Sequence, residues 1–377
     1  MSDGRYHRQQ LIPGWDQDRL AAATVLVAGA GALGNEVLKN LALLGVGYLV
    51  IIDLDLVERS NLSRTLLFHE ADLGTPKAVA AAQAIRQLNP AITVTALHGD
   101  LRFTLGLGRL HACTLALGCL DNQGARSFLS RMCLLAGVPL LDAAMWAFGG
   151  EVRAFLTAAG PCFDCTLSPD ERSDLWLRYS CSSGFRSSED LPPLPTTITT
   201  TAVVGGLLAQ EALRLLLGQP VESGSALVYT GQAGRLHRAA LSRDSTCPNH
   251  TPLDWRHIAD LPGPIETLTA AALLVHAGAD LPGTPILDLG RDLLIHFACP
   301  TCGRLAPVER AQGLVAATEA ICPHCAAMRE ALVVAEVQGG EPWAGWTLAR
   351  LGVQPGDLIS VRAETQVRLY VASFAEG

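Results

Sequence analysis

The sequence predicts an α/β fold, in which helices cover a mixed sheet, followed by a smaller region that contains paired cysteines. Near the beginning, a short apolar strand at residues 25–28 runs into a glycine-rich turn and then into an amphipathic helix. This succession of elements is typical of sheets that are largely parallel. In the last third, Cys299 and Cys302 form one C-x-x-C pair, and Cys322 and Cys325 form another. Pairs of this spacing indicate a tetrahedral metal site.

The composition indicates a globular protein. The chain has 377 residues, of which 49% are hydrophobic, and its net charge is −8 at pH 7. This size suits one large or two moderate domains. The acidic balance argues against nucleic acid as a partner, and we recognise no leader peptide and no apolar run of membrane-spanning length. We therefore expect a cytoplasmic protein that binds neither nucleic acid nor membranes. Seven of the eleven cysteines lie in C-x-x-C or C-x-x-H pairs, which in a reducing compartment predicts zinc rather than disulfides.

The glycine-rich turn has the pattern G-x-G-x-x-G, formed by Gly29, Gly31 and Gly34. In this pattern the first two glycines allow a tight turn and close approach to phosphate, and the third lets the helix pack on the strand. A second apolar strand delivers Asp53 nineteen positions after Gly34, where a carboxylate can bind ribose hydroxyls. The sequence therefore predicts a Rossmann-like nucleotide site. Taken alone, the pattern favours a dinucleotide and hence an NAD-dependent oxidoreductase.

The loop after the second strand points to a different nucleotide. It reads DLDLVERSNLSR and contains Asp53, Asp55, Asn61 and Arg64. It resembles the corresponding loop of the ThiF, MoeB and HesA family of adenylating enzymes, whose relatives activate ubiquitin and whose cleft holds ATP. The resemblance implies an ATP site in which Asp53 holds the ribose and Arg64 lies near the triphosphate. It also places Asp55 and Asn61 in that site.

Three further segments match this family. The segment RYHRQ resembles its N-terminal arginine motif, which implies that Arg8 reaches the phosphates in the neighbouring subunit of a homodimer. Lys77 follows a G-x-x-K step at the start of a predicted helix, residues 75–88, and by resemblance binds phosphate; the alternative is a surface lysine. Asp121 begins the pattern D-N-x-x-x-R and by resemblance holds Mg²⁺ against the triphosphate. The alternative for Asp121 is a helix cap.

A polar segment at about 168–195 precedes a long apolar helix, and we expect it to form a mobile crossover loop. Loops of this size in compact domains are usually functional. The loop contains Cys181, and the nearby Arg178 and Arg186 favour its thiolate form. In the ubiquitin-activating branch of the family, a loop at this place carries the cysteine that accepts the activated acyl group. The resemblance therefore implies a thioester at Cys181, and an inert thiol is the alternative.

The segments PCFDC and CPNH predict a first zinc site. Cys162 and Cys165 supply half of a tetrahedral set of ligands. In the family the other half is a second C-x-x-C pair after the last strand of the domain. At that place this chain has Cys247 and His250, which implies a Cys₃His site. Histidine is an ordinary zinc ligand, but it departs from the family pattern; the alternative is that His250 is a surface residue and the site is incomplete.

The resemblance ends near residue 250. We therefore predict an ATP-binding adenylation domain at residues 1–250 and a C-terminal domain at residues 251–377. Within the latter, the two C-x-x-C pairs are nineteen residues apart, which predicts a zinc ribbon at about 295–330 that four thiolates close. Residues 340–377 contain two alternating strands and resemble part of a β-grasp, ubiquitin-like fold. We expect this tail either to dock a partner protein or to stabilise the ribbon.

These features predict a ubiquitin-activating type of adenylyltransferase that uses ATP, Mg²⁺ and Zn²⁺. The C-terminal carboxylate of a ubiquitin-like protein would attack the α-phosphate of ATP, and pyrophosphate would leave. The acyl group would then pass to Cys181 and on to a conjugating enzyme. Three alternatives remain. They are an adenylyltransferase for a sulfur-carrier protein of the thiamine or molybdopterin type, an NAD-dependent Rossmann oxidoreductase, and a non-catalytic adaptor.

Overall fold

The computed structural model describes residues 4–173 and 195–373. Its first part is built around an eight-stranded sheet with the strand order β3-β2-β1-β4-β5-β6-β7-β8. Strands β1 to β5 run parallel, and β6 to β8 continue the sheet in antiparallel pairs. In chain order, β1 to β8 are Thr24–Ala28, Tyr48–Asp53, Thr93–His98, Leu115–Gly118, Leu140–Trp146, Gly149–Phe155, Ser225–Thr230 and Arg235–Ala240.

Helices cover both faces of this sheet. One apolar core forms where α3, α4 and α8 pack on the sheet, and a second forms on the other face with α5, α6 and α7. Helices α1 to α8 are His7–Gln10, Gln17–Ala21, Ala32–Leu44, Lys77–Leu88, Leu101–Thr104, Leu107–His111, Gln123–Ala136 and Ile198–Leu216. The predicted α/β fold with a Rossmann-like mixed sheet is therefore confirmed. No helix in the described ranges combines the length and the hydropathy that a membrane crossing requires.

Strand β1 lies between β2 and β4 in parallel register, and its sequence explains this central position. The apolar side chains of residues 25–28 are fully buried, as expected for a parallel strand that is covered on both faces. Helix α3 then buries Leu33, Val37 and Leu41. It ends at Gly45, whose φ of 79° lies in the left-handed region that glycine adopts without strain. The glycine-rich turn therefore occupies the carboxyl end of a central strand.

The second part of the chain, residues 258–373, forms a further sheet and is called the C-terminal unit below. Its strand order is β11-β10-β13-β14-β9, and β12 pairs with β10. The two strands predicted in the tail are the antiparallel hairpin β13 and β14, and β14 also pairs in parallel with β9. Strands β9 to β14 are Ile258–Asp260, Ile286–Ala298, Leu305–Ala311, Glu330–Gln338, Leu358–Ala363 and Gln366–Val371, and helix α9 is Ala270–Gly278. The tail thus shares one sheet and one core with residues far upstream. The domain boundary at residue 250 stays a prediction.

Candidate nucleotide and metal sites

The glycine-rich turn connects β1 to α3 at the carboxyl edge of the sheet, where open α/β sheets bind ligands. Gly29 has a φ of +94°, and a Cβ there would lie 2.4 Å from the carbonyl oxygen of Cys119. A Cβ at Gly34 would lie 1.9 Å from the carbonyl oxygen of Gly29. At Gly31, by contrast, nothing lies within 4 Å of an added Cβ. Packing therefore requires the first and third glycines, whereas Gly31 leaves open space at a helix N-terminus, where backbone amides favour an anion.

Asp53 ends β2 beside this turn. Its carboxylate accepts hydrogen bonds from the backbone amides of Ala30, at 2.6 Å, and of Asp55, at 2.8 Å. Burial raises the pKa of Asp53, although the two amides and the charge of Lys77 act in the opposite direction. The structure thus places the predicted ribose-binding acid directly against the glycine-rich turn.

Lys77 is the first residue of α4, and only 11% of its side chain is exposed. Its Nζ atom lies 2.7 Å from the carboxylate of Asp55, and its backbone amide donates to the carbonyl oxygen of Asp55 at 2.9 Å. Lys77 is therefore a largely buried cation beside the acids that end β2. A phosphate group that replaced Asp55 as its partner would find a charge-assisted hydrogen bond there.

Asn61 and Arg64 belong to a short turn after β2. Asn61 is buried, and its side-chain oxygen accepts a hydrogen bond from the backbone amide of Glu58 at 2.9 Å. The guanidinium group of Arg64 donates to the carbonyl oxygen of Ser60 at 2.5 Å. Asn61 therefore shapes the turn that carries Arg64. This structural role of Asn61 was not expected from the sequence, which placed it among the residues of the ATP site.

Asp121 follows β4 at the same edge of the sheet and is exposed. The residue that caps α7 is Asn122, whose side chain accepts a hydrogen bond from the amide of Ala125 at 2.8 Å. Asp121 is therefore not the helix cap that the sequence allowed as an alternative. A carboxylate that is exposed at this edge has the oxygen ligands that Mg²⁺ prefers.

The sequence does not reveal a buried ion pair, Arg126 with Asp142, whose arginine lies five positions after Asp121. Arg126 Nη1 lies 3.6 Å from Asp142 Oδ2, and the guanidinium group of Arg126 also donates to the carbonyl oxygens of Leu120, at 3.1 Å, and Ala143. Arg126 thereby connects the end of β4, which leads into Asp121, to strand β5. Burial raises the pKa of Asp142 to about 6, against the opposing charge of Arg126. The available signal was a lone acid inside the apolar run LLDAA.

Arg8 lies in the short helix α1 and is exposed. The residues before it attach this helix to the rest of the chain. The side-chain amide of Asn89 donates to the hydroxyl of Tyr6 at 2.7 Å, and the guanidinium group of Arg5 donates to the carbonyl oxygen of Leu88 at 3.1 Å. The segment is therefore anchored, and the role of Arg8 in a neighbouring subunit stays a prediction.

The structure brings the four residues of the predicted Cys₃His site together, with all ligand atoms within 4.8 Å of one another. The Sγ atom of Cys162 lies 3.7 Å from those of Cys165 and Cys247. Tetrahedral Zn–S bonds of about 2.3 Å would separate sulfur atoms by about 3.8 Å. His250 is half-buried and presents Nε2 to Cys165 at 3.1 Å, while its Nδ1 donates to the carbonyl oxygen of Ala158 at 3.1 Å. This hydrogen bond directs Nδ1 to the backbone and turns Nε2 toward the sulfur atoms, the orientation that a metal ligand needs.

The two halves of this cluster are also joined directly. The side-chain amide of Asn249 donates to the carboxylate of Asp164 at 2.5 Å, and both residues are buried. Burial raises the pKa of Cys162 and of Cys247. Thiolates are unfavourable in such surroundings unless a cation compensates them. The set of donor atoms and its burial therefore fit zinc.

The second cluster consists of Cys299, Cys302, Cys322 and Cys325, whose sulfur atoms lie within 4.8 Å of one another. Each pair forms a tight turn, in which the amides of Gly303 and Ala326 donate to the carbonyl oxygens of the first cysteines at 2.9 Å. Both residues are left-handed, with φ of 69° and 57°. Backbone amides lower the pKa of Cys299 and that of Cys322, the latter to about 6, which favours the thiolates that bind metal. Hydrogen bonds with Cys299 raise the pKa values of the second cysteines, Cys302 and Cys325. Four sulfur ligands fit a closed, structural zinc site.

The predicted nucleophile Cys181 and most of the predicted crossover loop, residues 168–195, lie outside the described residues. The thioester at Cys181 therefore stays a prediction.

Three features together are typical of a nucleotide-binding α/β protein. They are the glycine-rich turn at the edge of an open sheet, the acid at the end of the second strand and the lysine beside that acid. A family model described as the ThiF family matches residues 6–249. Because this match covers well over half of the chain, the protein belongs to the ThiF family. The resemblance that the sequence motifs indicated is thereby confirmed.

Two curated relatives carry names that describe an activity. The mouse adenylyltransferase and sulfurtransferase MOCS3 is 34% identical over 253 residues, which are 63% of this chain and 50% of that protein. The sulfur carrier protein adenylyltransferase of Thermus thermophilus is 34% identical over 254 residues, which are 65% of this chain and 89% of that protein. The chain thus spans about half the length of the mouse relative and most of the bacterial one.

Among solved structures, Escherichia coli MccB with ATP is similar, with a TM-score of 0.55 and 20% sequence identity. The similarity covers 67% of this chain and 75% of that chain. At this level of identity the likeness concerns the fold alone.

Proposed function

We propose that this protein is an adenylyltransferase that uses ATP to activate the C-terminal carboxylate of a sulfur-carrier protein. One observation carries the proposal: charged side chains lie at the ends of the two strands, β2 and β4, that flank β1 and its glycine-rich turn. Asp53 and Lys77 lie on the β2 side of the turn, and Asp121 follows β4 on the other side. Membership of the ThiF family supports ATP as the nucleotide rather than NAD.

In the proposed reaction, an oxygen of the carrier's carboxylate attacks the α-phosphorus of ATP. The bond from the α-phosphorus to the bridging oxygen breaks, pyrophosphate leaves and an acyl adenylate remains. No proton has to move, because the carboxylate attacks in its ionised form. The chain therefore contributes by positioning the reactants and neutralising charge. Asp53 would hold the ribose, and Lys77 and Arg64 would lie against the phosphates.

Asp121 would hold Mg²⁺, which when bound neutralises charge on the triphosphate. Arg126 fixes the carbonyl oxygen of Leu120, and this contact limits the freedom of the adjacent Asp121. An exposed carboxylate that follows a fixed backbone is suited to bind a cation in one place.

The names of the relatives favour a sulfur-carrier protein over ubiquitin conjugation, which was the main reading of the sequence. Both readings require adenylation of the C-terminus of a ubiquitin-like carrier. Transfer to Cys181 and delivery to a conjugating enzyme would be additional steps, and the names of the two relatives do not include them. The homodimer, with Arg8 acting across subunits, and the two zinc ions are part of the same proposal.

The test is exchange of labelled pyrophosphate into ATP. We expect exchange only in the presence of a sulfur-carrier protein with a free C-terminus. Substitution of Lys77 by methionine should lower the exchange rate by about 100-fold, because a positioned and largely buried charge is lost. The chain contains one other lysine, Lys39, which pairs with Glu36 on helix α3. The matched control Lys39→Met breaks a partly buried pair within helix α3, so the two variants are compared at equal amounts of folded protein; the control should then leave exchange within about twofold of wild type.

Three results would contradict the proposal. Equal losses in the two lysine variants would show that Lys77 has no special part in the reaction. Reduction of NAD without pyrophosphate exchange would favour the oxidoreductase alternative. Absence of exchange with every sulfur-carrier and ubiquitin-like protein tested would favour the non-catalytic adaptor.

A further inference from the structure

Strand β10 of the C-terminal unit is interrupted by a bulge that reorients one arginine. The register with β12 shifts between Asp288 and Leu293. Within this interval Gly290 has a φ of +67°, and its amide donates to the carboxylate of Asp288 at 2.8 Å. A bulge of this kind turns a side chain away from the regular alternation of the strand. Here the side chain that follows the bend is Arg291.

Arg291 connects the C-terminal unit to the first part of the chain. Its guanidinium group lies 2.5 Å from the carboxylate of Asp357, and only 15% and 5% of the two side chains are exposed. The same group donates to the carbonyl oxygen of Phe103 at 3.3 Å and to that of Gly352 at 3.4 Å. Phe103 belongs to helix α5 of the first part. A planar group with several donors suits such a junction, because it can bind a carboxylate and backbone carbonyls at once.

The two parts are in close backbone contact around this arginine. The amide of Gly108 donates to the carbonyl oxygen of Gly356 at 2.7 Å. A Cβ added at Gly106 would lie 2.2 Å from the backbone carbon of Gly356, and one added at Gly313 would lie 2.1 Å from the ring of Phe103. Glycine at these positions therefore permits an approach that other residues would prevent. The two parts therefore pack directly against each other at residues 103–108.

The constrained segment, residues 99–104, lies beside the predicted ribose-binding acid. The amide of Gly99 donates to the carbonyl oxygen of Asp53 at 3.1 Å, and the His98 ring Nε2 donates to that of Leu54 at 3.1 Å. Gly99 is also packed against Thr104, whose hydroxyl oxygen would lie 2.3 Å from an added Cβ. Because α5 spans Leu101–Thr104, the carbonyl that Arg291 holds is one short turn away from Asp53.

We propose that Arg291 is a positioning residue for nucleotide binding, through which the C-terminal unit fixes segment 99–104 against the ribose end of the cleft. The inference rests on the nucleotide site of the proposed function and adds to it a role for the C-terminal unit. Loss of the contact should weaken ATP binding while leaving the chemical step intact, since the contacts of Arg291 are with Asp357, Phe103 and Gly352 and not with the residues proposed to hold the phosphates.

The experiment compares Arg291→Lys with wild type in three measurements. Lysine keeps the charge beside Asp357 but lacks the fork that also holds Phe103. We expect the KM for ATP to rise by about three- to tenfold, with kcat within about twofold. The dissociation constant of ATP, measured without carrier protein, should rise in parallel. Amide hydrogen exchange should accelerate in residues 99–105. The control is Arg362→Lys, which alters an exposed pair with Glu336 in the same sheet and should change none of these quantities.

A second variant acts on the same segment without touching the ion pair. Gly313→Ala introduces a Cβ against the ring of Phe103 and should also raise the KM for ATP. This second variant still tests the proposal if Arg291→Lys lowers the zinc content and thereby damages the C-terminal unit. An unchanged ATP affinity in both variants, with faster exchange in residues 99–105, would overturn the proposal.

The outcomes separate this proposal from the function itself. If wild type binds ATP but shows no carrier-dependent pyrophosphate exchange, the proposed function fails, and the dissociation constants still decide the role of Arg291. If wild type binds no ATP, both fail. Unchanged exchange of residues 99–105 in both variants would show that the segment is not held by the C-terminal unit.

Discussion

At the scale of single residues, Asp142 is a carboxylate in the middle of an apolar strand. Its side chain is 1% exposed, and among the described residues neither of its oxygens has a hydrogen-bond partner. Burial outweighs the attraction of Arg126 and Arg153, so the pKa rises to about 6. The folded protein therefore retains this proton at pH values where the unfolded chain has already released it. Stability that depends on Asp142 must fall as the pH rises through this interval.

The variant Asp142→Asn removes the titration and keeps the shape of the side chain. Relative to this variant, the free energy of unfolding of wild type should fall by about 1.5 kcal/mol between pH 5 and pH 7.5. Urea denaturation followed by circular dichroism at the two pH values measures the difference. The exposed Asp254 offers a control that does not titrate in this interval, because its hydrogen bond with Arg256 lowers its pKa to about 2; Asp254→Asn should therefore show the same pH dependence as wild type between pH 5 and pH 7.5. A constant difference between wild type and Asp142→Asn would show that the pKa of Asp142 is not raised.

Single residues were predictable where a motif names them and unpredictable where a partner decides their role. The sequence showed Asp121 and Asn122 side by side, but only the backbone at the start of α7 decides that Asn122 is the cap. The pairing of Lys77 with Asp55 spans 22 positions, and no single motif contains both residues. The sequence shows Asp142 as a lone acid in an apolar run, but it does not predict the pairing with Arg126, which lies in another element.

At the scale of elements, the Cys₃His cluster is built from two short turns. Cys162 precedes the turn Phe163–Thr166, and Cys247 and His250 follow strand β8 in the chain. The hydrogen bond from His250 to Ala158 selects the ring nitrogen that faces the sulfurs. The orientation of the histidine is therefore part of the turn and does not depend on a bound metal alone.

The zinc content of variants should show whether His250 is a zinc ligand. Wild type should contain two zinc ions per chain by elemental analysis, because both clusters have four suitable donors. His250→Ala should contain about one, and its thermal stability should fall, since binding of a structural metal contributes to folding. His250→Cys restores a four-donor set and should recover the second ion. Two zinc ions in His250→Ala would remove His250 from the set of ligands.

Elements defined by local patterns were predicted, and their pairing partners were not. The alternating strands of the tail became β13 and β14, and the predicted helix at 75–88 became α4. The parallel pairing of β14 with β9 joins residues that are more than a hundred positions apart, and no local signal specifies it. The bulge in β10 depends on pairing with neighbours on both sides, so it too is a property of the assembled sheet.

At the scale of the whole molecule, the proposed homodimer makes a prediction about mixed subunits. If Arg8 serves the cleft of the neighbouring subunit, Arg8→Ala and Lys77→Met subunits should rebuild one intact cleft in each mixed dimer. Random association of equal amounts should then restore about one quarter of the wild-type rate of pyrophosphate exchange. The mixture is compared with each variant alone, both of which should be nearly inactive. No recovery after mixing would place Arg8 in its own cleft or outside the site.

The separate parts of the molecule could be predicted from the sequence, but the contact between them could not. The glycine pattern and the position of Asp53 indicated the first sheet, and the cysteine spacings indicated both clusters. The contact between Arg291 and Phe103 could not be predicted from the sequence, because it combines a bulge in the C-terminal unit with a backbone carbonyl group in the first part of the chain. Motifs describe chemistry within a segment, and they do not encode how separately folded surfaces fit together.

The parallel pairing of β14 with β9 has a consequence for biosynthesis. The first sheet needs no strand beyond Ala240, so it can form while the rest of the chain is still being synthesised. The C-terminal sheet, in contrast, cannot close around β9 until β14 has left the ribosome. The first sheet and its glycine-rich turn can thus form before the unit that contacts segment 99–104. A newly made chain would pass through a stage in which the first sheet exists and Arg291 has not yet reached Phe103.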